Sequence, residues 1–281
     1  MAKYQPMKRC HILLLVLLVH PFFTCANSQT LTKPRSVVVR SGSLKLRALL
    51  WRPAGHGPFP AVLFSPGSGQ NPPPYSLGRL FARYGYVFLA LYRRGQGPSS
   101  AQSEESGHLV ILERARNGDD AANRLQLRLL EGEQLEEQFS ALAVLRSLRD
   151  VDSARIGIVG HSFGASLAML LAERDPSIRA VINFAGGAGS WTRSAYLRER
   201  LISAARKLTT PVFYIHAAND YSTRPGEVLD AELARLNKPH RLKIFPAYGV
   251  TVNEGHNFIY LSIATWERDV FAFLDEHTAA R

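Results

Sequence analysis

Cysteine is nearly absent: the 281 residues include two, Cys10 and Cys25. That excludes a disulfide-dense scaffold and a cysteine-based zinc cluster. Acidic residues are also scarce, 23 Asp+Glu against 34 Lys+Arg, for a formal net charge of +11. A pI near 9.9 raises the prospect of nucleic-acid or membrane-surface binding. The basic residues are nevertheless interspersed with acids, as in Glu113-Arg114-Ala115-Arg116, and no basic-aromatic module occurs. No nucleic-acid partner is expected. With 46% hydrophobic and 20% charged residues, the chain is too apolar to be disordered.

Long apolar runs are missing as well. Residues 12–19 fall well short of the roughly 20 needed to span a bilayer, and His20-Pro21 interrupts them. Preceded by Lys3, Lys8 and Arg9 and followed by small residues up to Ser28, they read as a secretory signal peptide. Cleavage is expected near Ala26 or Ser28, giving a protein exported to the periplasm or beyond with no stable membrane span. An acylated Cys25 fits less well, because Phe22-Phe23-Thr24 makes a poor lipobox. Removing 28 residues from 281 leaves 253, and removing three basic groups from +11 leaves +8. Both cysteines leave too, so the mature chain has no thiol nucleophile.

From residue 36 the pattern is strand, Ser41-Gly42-Ser43 turn, strand to residue 51, an antiparallel hairpin. Short apolar runs follow at 61–64, 86–91, 156–159, 180–184, 212–215 and 242–245. Runs without polar alternation suit strands buried on both faces of a parallel sheet. Helical patterns lie between them at about 75–84, 133–149, 163–174, 195–208, 226–236 and 259–276. The order implies an α/β doubly wound sheet, a single domain over residues 29–281. Residues 99–132 break the alternation and are expected to form either a lid or a plain surface insertion.

Gly160-His161-Ser162-Phe163-Gly164 sits between an apolar run and a helical pattern. G-x-S-x-G in strand–turn–helix context is the nucleophile elbow. A serine hydroxyl is a weak nucleophile and needs a base, and the base needs an orienting acid. On such an elbow the partners follow in the order Ser, acid, His. Asp220 comes directly after the run that starts at Val212, and His256 stands in the loop before the last helical pattern. Glu227 and Asp230 are weaker acids for the role, inside the next helix. His216 reads as a packed strand histidine, His161 as support beside the nucleophile, and His240 as remote. Oxyanion donors are expected from the Phe163 N–H and from the loop Ser65-Pro66-Gly67-Ser68-Gly69, with Ser68 N–H ahead of Gly69. Arg94, beside Arg93 after the second central strand, could face an acidic substrate or pair with structural carboxylates. Trp191 could wall the acyl pocket or anchor the core.

The ordered set Pro66-Gly67-Ser68-Gly69, Tyr92-Arg93-Arg94-Gly95-Gln96-Gly97-Pro98-Ser99, residues 160–164, Asn219-Asp220 and Gly255-His256 resembles the α/β-hydrolase superfamily. Within it, the chain is similar to the dienelactone-hydrolase-like group of small serine hydrolases. The resemblance covers most of the chain from Leu44 onward. It implies a mostly parallel central sheet with helices on both faces, and hydrolysis of a small-molecule ester through an acyl-enzyme. No metal or organic cofactor is implied. Two departures stand out: Ser162 replaces the cysteine of dienelactone hydrolases proper, and Pro66 stands where a histidine is common. A serine peptidase or amidase on the same residues is the alternative enzyme. A non-catalytic binding protein of the same fold is the alternative outside enzymes.

Overall fold

The hairpin forms as expected, β1 (Arg35–Ser41) pairing antiparallel with β2 (Leu44–Trp51). Gly42 takes φ +56° in the turn, which a side chain would strain. Six further strands follow: β3 (Phe59–Ser65), β4 (Val87–Tyr92), β5 (Val151–His161), β6 (Ala180–Phe184), β7 (Val212–Ala217) and β8 (His240–Phe245). All eight join one sheet in the order β1-β2-β4-β3-β5-β6-β7-β8. β2 meets β4 antiparallel, and every pairing from β4 to β8 is parallel. The computed structural model describes residues 33–70 and 73–280, together with Met1. The export-signal expectation, with Cys10 and Cys25, lies outside the described residues.

The unalternating apolar runs are explained by burial on two sides. Successive strand side chains point to opposite faces. In β3, Ala61 and Leu63 join one hydrophobic cluster while Val62 and Phe64 join the other. The first cluster packs under α2 (Ser106–Glu131), α3 (Glu133–Arg146), α4 (Phe163–Arg174), α5 (Ala195–Lys207) and α6 (Arg224–Arg235). The second packs under α1 (Tyr75–Arg83), α8 (Phe258–Leu261) and α9 (Ile263–Thr278), with Phe81, Trp266 and Phe271 at its centre. The short α7 (Val252–His256) precedes α8.

One segment differs from the sequence reading. The single helix expected over 259–276 is broken at Ser262 into α8 and α9. Phe258, Ile259 and Trp266 all enter one core, so the apolar spacing runs on across the break. Residues 99–132 form a 3-10 turn (Gly97–Gln102) and then the long α2, interrupted at Gly118 where φ is 84°. Among the described residues no helix is long and apolar enough to cross a membrane.

Candidate active site

Ser162 stands between the last residue of β5 and the first of α4, at φ 55° and ψ −118°. Positive φ is costly for a residue with a Cβ and persists only where the surroundings enforce it. The flanking glycines show what enforces it. A Cβ built on Gly164 would lie 2.1 Å from Ser65 O, and one on Gly160 would lie 2.5 Å from Ala165 Cα. The turn is closed too tightly for any larger residue at either position. Ser162 N–H donates to Phe184 O at 2.8 Å, tying the elbow to the neighbouring strand.

The structure brings the three sequence-predicted residues together. His256 Nε2 lies 2.9 Å from Ser162 Oγ, and His256 Nδ1 lies 2.7 Å from Asp220 Oδ1. An ionised carboxylate only accepts, so Nδ1 carries the proton and Nε2 is free to accept from the hydroxyl. Asp220 follows β7 in a turn closed by its N–H to Ala217 O at 3.0 Å, and its side chain is fully buried. Burial works most strongly against its charge. The bonds from His216 and His256 and the nearness of both rings outweigh that and hold the carboxyl below the usual aspartate range.

The loop carrying His256 is held from two directions. Asn219 Nδ2 donates to Tyr248 O and Thr251 O, at 2.8 and 2.9 Å. Thr251 and Glu254 form a capping box that starts α7. From below, His161 Nε2 lies 2.9 Å from the His256 carbonyl. Burial first, and then the neighbouring His256 ring, push the pKa of His161 down to about 3. It is therefore neutral near pH 7, with Nε2 as the donor.

Arg93 explains how the loop at 65–69 is shaped. Its guanidinium is wholly buried and donates to Pro66 O at 2.8 Å, Gly67 O at 2.7 Å and Ser65 Oγ at 3.3 Å. Gln96 Nε2 adds bonds to Gly67 O at 2.8 Å and Gly69 O at 3.0 Å. In a trans peptide the carbonyl and the next N–H point opposite ways. Tying back the Gly67 carbonyl therefore turns the Ser68 N–H away from Arg93. The Ser68 carbonyl is fixed in turn by Gly107 N–H at 3.0 Å, at the start of α2. Among the described residues neither Ser68 N–H nor Phe163 N–H finds a protein acceptor. Burial pushes the Arg93 pKa down to about 10, which leaves it charged at neutral pH.

Ser162, His256, Ser68 and Phe163 all open onto one cavity of about 410 Å³. Val110, Ile111 and Arg114 of α2 line it, as do Ser190 and Arg193 from the loop after β6. So the segment over 99–132 forms part of the site's wall. Arg94 and Trp191 are not brought there. The Arg94 guanidinium is captured by the buried Glu137 carboxylate, with Glu133 at 3.8 Å. The Trp191 indole packs in the core cluster under α5. The cavity's cationic groups are instead Arg114, paired with Asp119 at 2.6 Å, and Arg193, whose guanidinium donates to Gly189 O. Tyr221, edge-on to the His256 ring at 4.9 Å, also lines it. Its place beside Asp220 was the only sequence signal for it.

The chain is similar to several known hydrolases. The chain is 32% identical over 124 residues to the Thermotoga maritima esterase EstD, a match that takes in 43% of this chain and 26% of that esterase. It is 25% identical over 228 residues to the Bacillus subtilis uncharacterized peptidase YtmA, covering 71% of this chain and 79% of that one. An acylaminoacyl peptidase from Pyrococcus horikoshii superposes with a TM-score of 0.66 at 18% identity, over 90% of this chain and 43% of its own. The chain thus spans less than half of the esterase and of the acylaminoacyl peptidase. That structural likeness carries the α/β-hydrolase fold. The dienelactone hydrolase family model matches residues 46–265, from β2 into α9, and the chain belongs to that family.

Proposed function

We propose that the protein is a serine hydrolase that cleaves small carboxylic esters through an acyl-enzyme on Ser162. The observation that carries the reading is the hydrogen-bonded series Ser162 Oγ–His256–Asp220, at 2.9 and 2.7 Å, opening onto the cavity under α2. His256 Nε2 takes the hydroxyl proton as Ser162 attacks the ester carbonyl. Asp220 holds the ring and balances the imidazolium charge. Phe163 and Ser68 N–H donate to the tetrahedral oxyanion. The leaving alcohol takes its proton from His256, and water then repeats the sequence on the acyl-enzyme.

Among the described residues no carboxylate lines the cavity, whereas Arg114 and Arg193 do. That supports substrates with a negative or strongly hydrogen-bond-accepting group away from the scissile carbonyl. The reading takes residues 1–28 as an export signal and 29–281 as one working domain. The likeness to YtmA supports amide hydrolysis as a second reading. A panel of p-nitrophenyl esters from short to long chains, run beside a p-nitroanilide control, separates the two. Ester turnover that vanishes in Ser162→Ala, with the anilide untouched, is expected. Preferential anilide cleavage favours the second reading, and Ser162→Ala with wild-type turnover overturns both.

A further inference from the structure

Asp220 is held by a second histidine. His216, the fifth residue of β7, places Nδ1 2.8 Å from Asp220 Oδ2, while His256 and the Tyr221 N–H, each at 2.7 Å, share Oδ1. Both side chains of the His216–Asp220 pair are fully buried. We infer that His216 is a positioning residue for the acid: an Nδ1–H donor that keeps Asp220 aimed at His256 and limits how strongly the carboxylate pulls a proton onto that base. The inference rests on the reading of Ser162 and His256 as nucleophile and base.

The argument begins with the tautomer. Asp220 can only accept, so the His216 proton facing it sits on Nδ1. Nε2 is then a bare lone pair, and among the described residues it is buried with no hydrogen-bond partner. It abuts the first turn of α6: a Cβ on Gly226 would come within 2.8 Å of Nε2 and 3.2 Å of Leu242 Cδ1. A second proton on His216 would have no acceptor there and would face the positive end of that helix. The ring is therefore placed to donate to Asp220 through Nδ1 alone. The other titratable groups around the pair are His256 from α7, His161 from β5 and Glu227 from α6.

Two consequences point the same way. A carboxylate clamped on both oxygens cannot rotate away from His256. Without the His216 donor, Oδ2 becomes an unsatisfied buried acceptor and burial alone governs that side of the acid. A carboxylate less satisfied by fixed donors attracts protons more strongly, whether onto itself or onto the neighbouring imidazole. Either event removes the working base, so the acid limb of the activity profile must rise.

The test compares His216→Phe, which removes the donor, with His216→Asn, whose amide N–H can reach the position of Nδ1. The acid limb of kcat/KM for p-nitrophenyl acetate is expected to move up by roughly half a pH unit to one unit in His216→Phe, with kcat about tenfold lower. In His216→Asn the limb is expected to return to the wild-type position. An unmoved limb in His216→Phe, or equal losses in both variants, overturns the inference and leaves His216 as packing alone. Nitrogen-15 NMR of histidine-labelled wild-type protein provides a check that needs no activity and no folded variant. Near pH 7, His216 is expected as the Nδ1–H tautomer, and an Nε2–H tautomer overturns the inference. If Ser162→Ala retains wild-type turnover, the functional reading fails separately, and the NMR result still decides how His216 is protonated.

Discussion

The Arg93 guanidinium donates to the Gly67 carbonyl at 2.7 Å, on the far side of the peptide that ends in the Ser68 N–H. A buried cation thus sets the direction of a backbone donor without reaching the cavity itself. It does so with a planar fork that bridges two carbonyls at once, which an ammonium cannot copy. Arg93→Lys is expected to lower kcat roughly tenfold to a hundredfold with little change in KM, since under the proposed mechanism it disturbs a donor used in the transition state. Steady-state kinetics with p-nitrophenyl acetate checks this, and a rise in KM alone would contradict it.

Gly164 is fixed by contact and Gly42 by conformation. A Cβ on Gly164 meets Ser65 O at 2.1 Å and Pro66 O at 2.3 Å, both backbone atoms that cannot swing aside. Gly164→Ala is expected to cost about 3 kcal/mol or to prevent folding. Gly42→Ala faces open space at φ +56° and is expected to cost about 1 kcal/mol. Urea unfolding midpoints of the two variants test the ranking.

His161 makes stability depend on pH. Its folded pKa is lowered to about 3 from 6.5, first by burial and then by His256. The unfolded chain then binds more protons than the folded one between those values, so stability falls as the pH drops from 6.5 towards 3. The loss from this group is about 3 kcal/mol by pH 4. His161→Gln keeps a donor near Nε2 but does not titrate. Its melting temperature is expected to fall less between pH 7 and pH 4 than that of the wild type.

Much of this site was legible in the sequence because it is local. G-x-S-x-G and Asn219-Asp220 each sit at a strand end, where the chain turns and has few conformations to choose from, and Gly255-His256 closes the short α7. The unalternating runs at 61–64 and 212–215 likewise revealed strands covered on both faces. What could not be read was pairing across long separations. Nothing in the sequence says that Arg93 turns to the carbonyls of 66 and 67 while Arg94, one residue on, turns to Glu137. Trp191 went to the core for the same reason: burial of a large ring is decided by tertiary packing. His216 read correctly as a strand histidine, but its bond to Asp220 depends on how the following turn folds back.

Arg114 and Arg193 supply the cavity's positive charge. Arg114→Gln combined with Arg193→Gln is expected to raise KM at least tenfold for an ester bearing a free carboxylate. For p-nitrophenyl acetate the change should stay within about twofold, because each charged contact contributes on the order of 1–2 kcal/mol of binding. Equal effects on both substrates would remove the arginines from substrate recognition.

The central claim is that Ser162 is a nucleophile activated by His256. Intact-mass and peptide mass spectrometry after treatment with a fluorophosphonate probe tests it most directly. The account predicts one adduct, on Ser162, formed quickly by the wild type, slowed at least a hundredfold in His256→Ala and absent in Ser162→Ala. An adduct on another residue, or undiminished labelling in His256→Ala, would contradict it.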